Sequence, residues 1–184
     1  DSDEGAVSDE DSDGSIVHDI LAISYDKDNP PMTKGALFPS IEEFRVALAQ
    51  HAIVNEFSYK TDKKRVSVSC SYNPPEGKHP CKWRVNGSIL YDCKTIQVKN
   101  EPKMHTCPST QRDGKVKVAK RKWIAAKVTD WLKGDPSMTS IALKKRLLEK
   151  YHVDIDYQRV LAGRRIALDQ IFGKWEDSFE CLHN

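Results

Sequence analysis

Cys70, Cys81, His105 and Cys107 are the residues in this chain whose types could do chemistry together. Each stands at the end of a short run that alternates like a strand, where one ion could gather residues far apart in sequence. Thiolate and imidazole are the donors that Zn2+ prefers, and four of them leave no open coordination position. Such a site contributes folding free energy and generates no hydrolytic water. The ten residues between Cys70 and Cys81 far exceed the two to four of a compact zinc knuckle. His105-x-Cys107 is more telling, because positions i and i+2 of an extended chain point the same way. Pro80 and Pro108 would stiffen the segments carrying these donors. His79 is a rival ligand. Cys93 is left over and reads as a small hydrophobe at a turn, since using it would leave the His105/Cys107 pair idle.

Positioning these donors requires a sheet. Residues 57–63 and 65–70 alternate, with Phe57, Tyr59 and Thr61 on one side and Val66 and Val68 opposed to Ser67 and Ser69. Lys60, Lys63, Lys64 and Arg65 crowd the connection, either as a solvated hairpin tip or as an edge that meets DNA phosphates. A loop at 71–80 leads to a strand marked by Trp83, Val85 and Ile89. Another strand covers 95–99, with Ile96 and Val98 facing inward. Ahead of the sheet, Ser40 is suited to cap a helix over 41–55, with Glu43 completing a capping box and Phe38 as staple residue. Ile41, Phe44, Leu48 and Ala52 share one face of that helix, which should pack on the sheet. His51 is read as a surface or packed histidine.

Residues 110–117 are polar and basic. From Val118 the pattern turns helical, with Ile124, Val128, Trp131 and Leu132 on one face and Gly134 as the stop. Thr139 can cap a second helix, in which Ile141, Leu143, Leu147, Leu148 and Tyr151 are mostly core-directed. Asp154 or Asp156 can cap a third, in which Tyr157, Val160, Leu161, Leu168, Ile171 and Phe172 recur at helical spacing. Arg159, Arg164 and Arg165 lie largely elsewhere on it and are further candidate DNA contacts. Three helices with short joints suit a helix-turn-helix as well as a plain bundle. Lys115, Lys117, Lys120, Arg121 and Lys122 would grip a DNA backbone, or could form a nuclear-import signal.

The charge is unevenly placed. Residues 1–30 hold ten Asp/Glu and one Lys, a net of −9, so the total of +2 leaves +11 on the remainder. An acidic, disordered lead therefore precedes a basic body drawn to polyanions. An odd cysteine count without a hydrophobic leader argues for reduced, partly metal-bound thiols over a disulfide framework. No apolar run approaches the ~20 residues that span a bilayer. The opening at Asp1 without Met suggests a fragment of something longer. A glycine-rich phosphate loop, a His-Glu-x-x-His and a nucleophile elbow are all missing, so the chain is expected to be catalytically silent.

The succession Phe-Pro-Ser-Ile-Glu-Glu-Phe at 38–44, Phe-Ser-Tyr-Lys at 57–60, Val-Ser-Cys at 68–70, Cys-Lys-Trp-Arg at 81–84 and His-Thr-Cys at 105–107 resembles the N-terminal region of plant Mutator-type (MuDR) transposases. The resemblance continues through Trp123-Ile124-Ala125, Asp135-Pro136 and Tyr-x-Val at 151–153, spanning about residues 37 to 180. It implies a zinc module like that of WRKY and glial-cells-missing proteins, with Cys70, Cys81, His105 and Cys107 as the ligands. It also implies that the strand around Tyr59, Lys60, Lys63, Lys64 and Arg65 enters the major groove. The WRKY heptad is absent, so no base preference carries over. The family's catalytic RNase-H-like domain lies beyond the resemblance.

These readings combine into an α+β chain: an acidic tail at 1–30, a four-stranded antiparallel zinc-bound sheet with an N-terminal helix at 37–109, and a helix-turn-helix-like part at 115–180. The expected function is zinc-dependent, sequence-specific binding of double-stranded DNA in the nucleus, by a transposase or a transcriptional regulator derived from one. Protein partners could meet the acidic tail or the helices. A zinc-stapled protein-interaction module is the alternative. A single-strand or RNA binder would need Trp83 and Tyr59 exposed as stacking platforms.

Overall fold

A computed structural model describes residues 23–62, 66–107 and 116–173. The elements follow in the order β1 (Leu37–Phe38), α1 (Ile41–Val54), β2 (Tyr59–Thr61), β3 (Ser67–Cys70), β4 (Arg84–Ile89), β5 (Ile96–Val98), α2 (Arg121–Gly134), α3 (Ser140–Tyr151) and α4 (Tyr157–Phe172). The class is α+β. The antiparallel sheet has five strands, ordered β1-β5-β4-β3-β2, where four were expected. The added strand is Leu37–Phe38, read from sequence only as the lead-in to a helix. It pairs with Ile96 and Gln97, burying Phe38 completely under the Tyr25 and Phe44 rings. Two residues carry too little alternation to register as a strand in a sequence pattern.

Ser40 caps α1 by accepting from the Glu43 N–H at 3.1 Å. The capping box closes only on that side, because the Glu43 carboxylate accepts from the Tyr25 hydroxyl at 2.6 Å. The predicted apolar face of α1 is real, with Phe44, Leu48 and Ala52 buried, but Ala47, Ala49, Gln50 and Ile53 are buried as well and Ile41 only partly. The helix lies between the sheet on one side and α2 on the other. Gln50 occupies that second contact, 1% exposed. Its Oε1 accepts from the Trp123 indole N–H at 3.1 Å, and its Nε2 donates to the Asp28 carbonyl at 2.8 Å. Both polar ends are thus satisfied where a lone buried amide would cost stability.

In the helical part, Thr139 caps α3 as its sequence position suggests, and of the two candidates Asp154 and Asp156 it is Asp156 that caps α4. Contact runs chiefly between α2 and α4. Gly163 makes it possible: a Cβ there would lie 2.5 Å from the Ile124 side chain, so only glycine lets the two helices approach this closely. The buried stripe of α4 is accordingly Val160, Gly163 and Ala167, while Tyr157, Leu161 and Phe172 face solvent. On α3, Leu143 and Leu147 are buried and Tyr151 packs against the core, so most of the expected residues turn inward, while Ile141 and Leu148 are exposed. Among the described residues no helix is long and apolar enough to cross a membrane.

Residues 1–22 of the acidic lead lie outside the described residues. Residues 23–30, assigned to that lead by charge, pack across α1, α2 and α3 instead. Asp28 is the reason: its carboxylate accepts from Lys127 at 3.0 Å, Tyr151 at 3.1 Å and Lys150 at 3.2 Å. The hydrogen bond from Lys127, opposed by partial burial and aided by Lys150 and Tyr151, lowers the Asp28 carboxyl to about 2. Burial holds the Lys127 ammonium below the ordinary lysine range, and Asp28 counters that. A depressed carboxyl contributes stability above its unfolded value near 4 that is lost as pH falls through about 2. Asp28→Asn should therefore lower stability by about 1 kcal/mol, a figure discounted for the exposed carboxylate. Denaturant titrations should find that loss constant from about pH 6 to pH 8.

Candidate metal centre and nucleic-acid face

The four donors meet at one end of the sheet. Cys70 is the last residue of β3, Cys81 stands just before β4, and His105 and Cys107 lie on the segment that returns after β5. Their ligand atoms all fall within 4.8 Å of one another, close enough to hold a metal ion. Cys70 Sγ is 3.7 Å from Cys107 Sγ, and His105 Nδ1 is 3.4 Å from both Cys81 Sγ and Cys107 Sγ. His79 is exposed and stands outside the cluster. Cys93 sits at a turn as expected, but exposed, in the left-handed region at φ 56°.

Stacking orients the imidazole. The His105 ring lies 5.0 Å from Trp83 at 15° and 4.1 Å from Phe57. Its Nε2 is buried without a hydrogen-bond partner among the described residues, so the apolar slot alone aims Nδ1 at the sulfurs. His51 of α1 stacks on the other ring of this group, 6.3 Å from Trp83. Trp83 is 3% exposed, so it cannot serve as a base-stacking platform.

Backbone donors prepare the sulfurs unequally. Burial raises the Cys81 thiol, but N–H groups of Trp83, Thr106 and Cys107 outweigh it and bring Cys81 to about 6. Burial, reinforced by the neighbouring thiols Cys70 and Cys81, drives Cys107 up to about 12. Cys70 is also raised, chiefly by burial. A lowered Cys81 beside a raised Cys70 and Cys107 makes a site that takes up a cation by releasing protons.

The expected DNA-contacting residues are distributed differently. Lys60 is exposed on β2. Tyr59 points to the inner side opposite Cys70, with burial raising its hydroxyl to about 12. Lys63, Lys64, Arg65 and Lys115 lie outside the described residues. Lys117, Lys120, Arg121 and Lys122 are exposed around the start of α2, whose first turn holds no acid. Cations there oppose the helix dipole, a cost that an approaching phosphate would relieve. On α4, Arg164 donates to the carbonyls of Met138 and Pro136, and Arg159 to that of Val116. Arg165 is exposed.

Sequence alternation missed the polar outer face of the sheet as a unit, though the Ser67/Ser69 and Arg84/Asn86 periodicity carried it. A sheet joined at one end by three sulfurs and an imidazole, polar and basic on its open face, defines a small metal-capable α+β binding module. Residues 29–98 match the family model described as MuDR family transposase, a DNA-binding domain. These residues, well under half of the chain, are thus similar to the DNA-binding domain of MuDR family transposases; α1 and all five strands fall within the match, while His105, Cys107 and α2–α4 lie beyond it. The family model that matches is that of a DNA-binding domain rather than a catalytic one. Comparison with curated proteins and with solved structures returned no match.

Metal uptake at neutral pH should expel protons from the thiols that burial raises, Cys70 and Cys107, so apparent affinity should climb with pH. Isothermal titration in buffers of different ionisation heat counts those protons directly. Cys70→Ala should lose the ion and melt the sheet, seen as collapse of the near-UV signal of Trp83.

Proposed function

We propose that this chain is the zinc-dependent, sequence-specific, duplex-DNA-binding region of a Mutator-like transposase, or of a nuclear transcription regulator derived from one. The observation that carries the proposal is the convergence of Cys70, Cys81, His105 and Cys107 beside a sheet that matches a MuDR DNA-binding domain. Zinc is the ion that fits best. With Zn–S near 2.3 Å and Zn–N near 2.0–2.1 Å, a tetrahedral ion needs S···S of about 3.8 Å and S···N of about 3.5 Å. The separations of 3.7 and 3.4 Å correspond to that. The ion would be structural, tying three sheet-end segments together and supplying no reactive water.

In this proposal the sheet reads sequence, and the cations at the start of α2 hold the backbone, with Arg165 adding a contact from the helix-turn-helix-like part. Arg159 and Arg164 act by fixing the joints of the helical part. A second role for that part is supported by Ile141, Leu148, Tyr157, Leu161 and Phe172, which expose a broken apolar surface on α3 and α4 suited to a protein partner.

Gel-shift titrations over a salt series test the main proposal. With about six phosphates neutralised, log K should fall against log[salt] with a slope of about −5. Replacing Lys117, Lys120, Arg121 and Lys122 by Ala should flatten that slope by about 3 to 4 without changing the preferred sequence. A flat salt dependence of the unaltered chain would leave protein interaction as the better account.

A further inference from the structure

Strand alternation gives the sheet two chemically opposite faces. Val68, Cys70 and Val85 turn inward and are buried, while Ser67, Ser69, Arg84 and Asn86 turn outward. Register aligns the outward residues in rows. Lys60 is opposite Ser69 and Ser69 opposite Arg84, and one step along, Ser67 is opposite Asn86. These side chains floor an open hollow of about 570 Å³, with Asp62 the one carboxylate in its lining. α1 covers the other face, and α2 packs on α1, so the helices stand away from this side.

Width and rigidity both suit a duplex. Three strands spaced at 4.7–4.9 Å put Lys60 and Arg84 about 10 Å apart, within the ~12 Å of a DNA major groove. β4 is held from both sides. β3 pairs with it on one, and beyond the end of β5 the Asn100 carboxamide takes over, accepting from the Asn86 N–H at 2.6 Å and donating to the Arg84 carbonyl at 2.8 Å. The Arg84 and Asn86 side chains therefore project from a fixed backbone. Ser67 donates to Asn86 Oδ1 at 2.8 Å, which leaves the Asn86 amide NH2 facing out. With the Arg84 guanidinium and the Lys60 ammonium, the face is rich in donors. Lys82 and Lys99, both exposed, flank it.

We propose that this outer face of β2, β3 and β4 enters the major groove, with Arg84 and Asn86 contacting base edges and Lys60, Lys82 and Lys99 the flanking phosphates. The proposal rests on the DNA-binding function proposed above and names the surface that performs it. A donor-rich surface calls for an acceptor-rich edge, and guanine offers O6 and N7 together to a single guanidinium. Guanine is therefore the base opposite Arg84.

The test is a selection from random duplexes with the zinc-loaded chain, followed by affinities of Arg84→Ala, Arg84→Lys and Asn86→Ala for the recovered consensus. Each variant is first checked for one bound zinc and an unaltered circular-dichroism spectrum. Arg84→Ala should lose about tenfold to a hundredfold on the consensus and far less on random duplex, with one guanine position relaxed. Arg84→Lys should keep the salt slope but lose that guanine preference, since an ammonium cannot grip O6 and N7 as a fork does. Methylation of guanine N7 should interfere with binding. Wild-type affinity and consensus in both alanine variants would overturn the sheet-face proposal while leaving DNA binding intact. A wild-type chain that binds no duplex would overturn both.

Discussion

A sheet whose strands run from two to six residues has little area with which to hold itself together, and its end is where it would fray. At that end the chain brings three sulfurs and an imidazole nitrogen within 4.8 Å. This convergence brings together the close of β3, the approach to β4 and the return after β5, alongside the backbone bond from the Cys70 N–H to the Trp83 carbonyl. Phe57 and Trp83, packed on the imidazole, make the same spot part of the core. The candidate ligands and the core thus share the same side chains.

From that end the constraint passes inward through α1. Because α1 is buried on two sides, it transmits the position of the sheet to α2 without slack. Gln50 is the point of transfer, joined at once to Trp123 and to the backbone of Asp28. Asp28 in turn reaches α2 and α3 through Lys127, Lys150 and Tyr151. The sheet and the helices are consequently registered against each other by the buried Gln50 contacts and the exposed Asp28 ones, which are directional in a way that apolar contact is not.

Charge follows the same division of labour. Arginines that a charge count treats alike prove to have separate tasks: Arg159 and Arg164 close the joints around α4 by binding carbonyl oxygens, while Arg84 stands exposed on a clamped central strand. Lys127 is turned inward against Asp28. Net charge predicts attraction to a polyanion, but only placement separates a cation that meets solvent from one already spent within the fold.

Much was legible in local pattern. The N-caps at Ser40, Thr139 and Asp156, the strands around Val68, Val85 and Ile96, and the donor character of Cys70, Cys81, His105 and Cys107 follow from residue type and short-range spacing, which act within a few positions. The fifth strand, the double burial of α1 and the solvent-facing Tyr157 and Leu161 did not follow, since each depends on what a distant segment does. Phe38 becomes a strand residue only when β5 offers an edge, and α4 turns Gly163 inward only because Ile124 leaves room for no side chain. The sequence by itself determined which groups could bind a cation and which segments could be helix or strand. Tertiary structure alone decided which of those groups meet, which cations remain free, and which face of the sheet is open, because those depend on distances between residues that lie tens of positions apart along the chain.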